Sequence, residues 1–138
     1  MSPKYLFGQT ILVIENHEKV RFSLGGFLSR QGATPILAAD KTEGLRAVQK
    51  SIPDLVVTDV RGPKEDDLRL LHAIHMKSKN GIDTPVIAMT PMISKQELVE
   101  MQKAGFSACL RRPFSPRRLL EAISNLTNRL PRAIAPAS

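Results

Sequence analysis

Five short, continuously apolar runs punctuate the chain: Thr10 to Ile14, Pro35 to Ala39, Leu55 to Thr58, Val86 to Met89 and Ala108 to Leu110. None alternates apolar with polar positions, and that continuity predicts strands covered on both faces, as in a parallel sheet flanked by helices. The stretches between them carry helical spacing. Val20, Leu24, Phe27 and Leu28 recur on one helical face before Gly32, which is placed to end that helix. Asp40 with Glu43 reads as the N-cap and return partner of a second helix running through Leu45 and Val48 and stopping before Pro53. Asp66 or Asp67 is expected to cap a third, with Leu68, Leu71 and Ile74 turned inward. Ser94 with Glu97 predicts a capping box for the fourth. Ser115 and Pro116 predict the cap and first-turn proline of the fifth, whose buried stripe is Leu119, Leu120, Ile123, Leu126 and Leu130 before an end near Pro131.

Strand and helix thus alternate five times, the signature of an α/β doubly wound parallel sheet with right-handed crossovers, for which 2-1-3-4-5 is one of two common strand orders. Ligands of such sheets bind at the carboxyl ends of the strands. That rule selects Glu15, Asn16 and His17 after the first strand, Asp59 after the third, Thr90 after the fourth, and Arg111 or Arg112 after the fifth. The set is chemically coherent: two acids, an amide, a hydroxyl and a cation on one edge. Plainer readings stand beside it. Asp59 is also a strand-ending acid suited to cap a loop, Glu15 and Asn16 suit the start of the first helix, and Thr90 and Arg112 suit a solvated strand end. His72 and His75 lie three apart on the third helix but lack a third ligand, so a solvated face is expected there. Glu65, Asp66 and Asp67 read as a solvated loop and helix cap, and Cys109 as a small buried hydrophobe.

Length and charge narrow the picture. The 138 residues suit a single domain, with a core over about 9–130, a loose start, and a Pro- and Ala-containing tail or linker stub at 131–138. A net charge of +7 would attract nucleic acid, anionic lipid or an acidic protein surface. One Tyr and five Phe supply no ladder of basic and aromatic residues, so nucleic-acid binding is a minority reading. No apolar run approaches the roughly 20 residues of a membrane helix, which argues against membrane insertion. Met1 to Gln9 lacks the pattern of a secretory signal and the lone Cys109 has no internal disulfide partner; a cytoplasmic location is expected.

The segments TILVIEN, PDLVVTDV, PVIAMTP and AGFSACLRRPF stand in the order and at about the spacing of response-regulator receiver domains. Pro63 follows Asp59 by four residues and Asp66 by seven, as in the loop after that family's phosphorylated aspartate. The chain resembles this family from about Gln9 to Leu130. The resemblance implies a flavodoxin-like fold of order 2-1-3-4-5 and a signal relay rather than an enzyme, with Asp59 taking a phosphoryl group from a histidine kinase or phosphotransfer protein. It implies Mg²⁺ near Glu15, Asn16, Asp59 and the backbone carbonyl of Arg61, phosphate contacts from Thr90 and Arg112, a cis bond between Arg112 and Pro113, and a switch at Thr90 and Cys109. The expected output is altered binding of an effector or a second copy at the fourth and fifth helices, near Arg111, Arg117 and Arg118.

Five positions depart from the pattern. Glu15 and Asn16 stand where two acids are usual, so Mg²⁺ is expected to bind more weakly. Arg112 replaces a Lys and, without phosphate, is expected to clamp Asp59 or Glu15. Cys109 replaces the Tyr or Phe of the switch, and Pro91 a small residue after Thr90. These departures motivate a rival reading, a pseudo-receiver that binds partners without phosphorylation. A nucleic-acid binder is a second rival. A flavodoxin-like cofactor enzyme is a third, weakened because no Gly-rich phosphate loop follows the first strand.

Overall fold

A computed structural model describes residues 6–77, 83–91 and 94–127. Five strands, β1 (Thr10–Ile14), β2 (Thr34–Ala38), β3 (Leu55–Asp59), β4 (Val86–Thr90) and β5 (Ala108–Arg111), alternate with α1 (Glu18–Arg30), α2 (Lys41–Lys50), α3 (Glu65–Met76), α4 (Lys95–Ala104) and α5 (Pro116–Thr127). The strands form one parallel sheet in the order β2-β1-β3-β4-β5. The chain thus has a doubly wound, flavodoxin-like fold.

Each apolar run feeds both faces of the sheet. Ile11 and Val13 of β1 join Leu28, Leu119 and Ile123 in one core under α1 and α5. Leu12 and Ile14 join Val48, Leu70, Ile74 and Met101 in a second under α2, α3 and α4. Gly44 lets α2 lie close to β1, because a Cβ there would come within 2.3 Å of the buried Ile14 Cδ1.

Local chemistry sets the helix ends. The Asp40 side chain accepts from the Glu43 amide at 2.9 Å, while Ser94 and Glu97 cap each other's backbone at the start of α4. The Arg118 amide donates to Ser115 Oγ at 3.2 Å, and Gly32 adopts a positive φ just beyond α1. The peptide bond between Arg112 and Pro113 is cis.

Several expectations need correction. The N-cap of α1 is His17, so neither Glu15 nor Asn16 holds that place. α3 begins at Glu65, before both aspartates proposed as its cap; Asp67 instead reaches back, its Oδ2 accepting from the Lys64 amide at 3.0 Å. The buried face of α3 accordingly carries Asp67, Leu70 and Ile74, with Leu71 half-buried and Leu68 exposed. Val20 lies at the exposed margin of α1. Leu130 and Pro131 lie outside the described residues. Among those residues no helix is long and apolar enough to cross a membrane.

Candidate functional site

The carboxyl edge of the sheet gathers the selected side chains because the strands are parallel and in register: Ile14 pairs with Thr58, Asp59 with Met89, and Thr90 with Arg111. Glu15, Asp59, Thr90 and Arg112 each follow or end one of these strands. Of the two arginines at β5, Arg112 turns toward the edge while Arg111 is exposed.

Glu15 is fully buried. Its Oε2 accepts from the His17 amide at 2.8 Å and lies 3.0 Å from His17 Nδ1, and its Oε1 receives the Arg112 guanidinium in a close ion pair. Burial works against the charge on Glu15. The His17 and Arg112 bonds, together with the charge of Arg112, outweigh it and hold the carboxyl below its usual range. The backbone carbonyl of Glu15 is also used, accepting from Arg21 at 2.8 Å.

Asp59 stands in contrast. Its side chain is 23% exposed, and among the described residues no hydrogen bond reaches its carboxylate. The Arg112 guanidinium lies 3.5 Å from Oδ1. Arg112 therefore lies between the two acids, with its Nε buried and unpartnered among the described residues. The Arg112 amide donates to the Thr90 carbonyl at 2.8 Å, tying β5 to the end of β4. Thr90 is buried and borders a cavity of about 250 Å³ with Arg61, Pro63, Glu97 and Met101. Cys109 is half-buried against the second core, and burial raises its thiol pKa, as suits a packed thiol. Asn16 is exposed, and its carbonyl lies 3.4 Å from Arg21.

Two residues escaped sequence reasoning. Lys41 Nζ donates to the backbone carbonyl of Asp59 at 2.6 Å and lies 3.1 Å from Asp67 Oδ1. Lys41 drew no reading and Asp67 only that of a solvated helix cap, and the packing of α2 against α3 brings them to the end of β3. His75 pairs with Asp83 at 3.1 Å, away from this edge, and among the described residues no cluster of metal-ligating side chains forms around His72 and His75.

The groups that the resemblance assigns to Mg²⁺, the carboxylates of Glu15 and Asp59 and the backbone carbonyl of Arg61, are hard oxygen donors of the kind that ion takes. The Asp59 carboxylate takes no hydrogen bond among the described residues, whereas Glu15 has both oxygens engaged and Asn16 is neutral.

Comparison with known proteins places the chain in a family. The model of the response regulator receiver domain matches residues 11–124. The response regulator MprA of Mycobacterium ulcerans is 34% identical over 119 residues, covering 86% of this chain and 50% of its own length. The chain spans about half or less of the length of the curated relatives it matches. Among solved structures, the Vibrio cholerae chemotaxis protein CheY4 superposes with a TM-score of 0.74 at 26% identity, over 85% of this chain and 97% of that one. The receiver domain of the Pseudomonas aeruginosa sensor histidine kinase PA1611, with magnesium coordinated in its active-site cleft, superposes at 0.73 with 24% identity, over 88% and 98%. With the matched segment running from within β1 into α5, the chain belongs to the response regulator receiver domain family of two-component signalling.

Proposed function

We propose that this receiver domain takes a phosphoryl group on Asp59 from a phosphohistidine in a sensor kinase or phosphotransfer protein, and signals by a change in partner binding. The observation that carries this reading is the state of Asp59: at the end of β3 in a receiver sheet, its carboxylate takes no hydrogen bond among the described residues and faces a guanidinium 3.5 Å away. A carboxylate nucleophile must be accessible and lightly held, and the incoming charge needs donors already in place.

Arg112 is suited to a phosphate because its fork presents paired N–H groups to two oxygens, and Thr90 supplies a hydroxyl at the neighbouring strand end. Accepting a phosphoryl group would draw Arg112 from Glu15 toward Asp59. Asp59, the Arg61 carbonyl and Glu15 are the residues that would hold Mg²⁺, which supplies neutralisation of phosphoryl oxygens when bound. Binding is weaker than with two free aspartates, since Arg112 must first yield Glu15 and Asn16 brings no charge. Arg111, Arg117 and Arg118 are exposed at the end of β5 and the start of α5, and offer an acidic effector or a second copy a basic surface.

Incubation with acetyl phosphate and Mg²⁺, followed by intact-mass measurement, tests the assignment. One added phosphoryl mass is expected, absent in Asp59→Asn. No gain with acetyl phosphate or with a cognate kinase leaves a module that binds its partners without phosphorylation.

A further inference from the structure

The β1–β3 ladder stops at the pair Ile14 and Thr58, while the β3–β4 ladder runs on to Asp59 and Met89. Asp59 therefore stands one step beyond its β1 partner. Backbone carbonyls away from solvent rarely go without a donor, and the part-buried carbonyl of Asp59 accepts from Lys41 Nζ at 2.6 Å, with the Thr58 hydroxyl farther off at 3.5 Å. The same ammonium lies 3.1 Å from Asp67 Oδ1, whose side chain is 4% exposed. Asp67 Oδ2 in turn accepts from the Lys64 amide. One cation thus joins the first residue of α2, the peptide of the candidate acceptor and the first turn of α3.

Helix formation does not account for Lys41. A cation in the first turn opposes the helix dipole, and Asp40 already caps the backbone. The close approach at Gly44 seats α2 low on β1 and carries Lys41 within reach of β3. The loop 60–64 between β3 and α3 is held at both ends by this cation: at Asp59 through the carbonyl, and at Lys64 through Asp67. That loop also contains the Arg61 carbonyl proposed above as a metal ligand.

We infer that Lys41 is a positioning residue for phosphoryl transfer, a brace that fixes the Asp59 peptide and the following loop in the geometry the reaction needs. The inference rests on the reading of Asp59 as acceptor. Small displacements of a reacting group cost large factors in rate, so loss of the brace acts on the rate of transfer beyond any effect on folding.

The test compares rates of phosphoryl gain from acetyl phosphate, by intact mass, in the wild type, Lys41→Arg, Lys41→Met and the double variant Lys41→Met with Asp67→Asn. Lys41→Met alone strands the Asp67 charge and is expected to lower stability; the double variant removes that charge and restores it, as a thermal melt would show. The brace predicts a rate roughly ten-fold lower in both Met-containing proteins, and one within about two-fold of wild type in Lys41→Arg, whose guanidinium still reaches both oxygens. A double variant that melts like the wild type and is phosphorylated at the wild-type rate overturns the inference, as does a slow Lys41→Arg of normal stability. A wild type that gains no mass overturns the acceptor reading itself and this inference with it.

Discussion

Glu15 and Asp59 are two carboxylates on one sheet edge, served by one arginine, and they are held in opposite ways. Glu15 is fully buried with both oxygens bonded, and its charge is maintained by His17 and Arg112 against the cost of burial. Asp59 keeps partial exposure and a carboxylate without a hydrogen bond among the described residues, while its backbone carbonyl is held by Lys41. The difference separates two tasks. A buried acid surrounded by donors is a structural charge that organises its neighbours, whereas a nucleophile needs a rigid backbone and a free head.

The sharpest way to break this contrast is to remove the shared cation. Arg112→Met strands the buried Glu15 charge and is expected to cost about 3 kcal/mol in urea unfolding. Glu15→Gln in the same background should recover part of that loss, since the stranded charge is gone. Acid tests the same side of the comparison. A carboxyl held below its ordinary value contributes stability that is present above that value and lost as pH falls through the folded-state value. Wild-type melting temperature should therefore fall below about pH 4.5, the ordinary Glu15 value, more steeply than that of Glu15→Gln. A smaller effect is expected away from the edge: Asp40→Ala removes the cap of α2 and should cost about 1 kcal/mol by thermal melt. Asp59→Asn should change stability least, by less than about 1 kcal/mol, because its carboxylate makes only the 3.5 Å approach to Arg112.

What the sequence made legible follows the same division between local and distant causes. Continuous apolar runs located all five strands, and the pairs Asp40 with Glu43 and Ser94 with Glu97 located two helix starts, because those interactions act within a few residues. The start of α3 was misread for a reason that spans the fold. Asp67 does not cap the helix from outside but turns inward to meet Lys41, which shifts the buried face from Leu68 to Leu70. Parallel topology brought Glu15, Asp59, Thr90 and Arg112 to one edge as expected. Which acid Arg112 would take depends on burial, since Glu15 sits wholly inside with no solvent to stabilise its charge, and a contact between residues 97 apart carries no local signal. Lys41 left no trace for a similar reason: a lysine after a helix cap resembles any surface lysine until α2 is packed.

Asp59 is the open position of the two carboxylates. A beryllofluoride titration with Mg²⁺, followed by backbone amide spectra, tests this most directly. The prediction is saturable shifts centred on Asp59 and Thr90, with the Arg112 side-chain signal moving as it leaves Glu15, and none of these in Asp59→Asn. Unchanged spectra at saturating beryllofluoride, or the same shifts in Asp59→Asn, would contradict it.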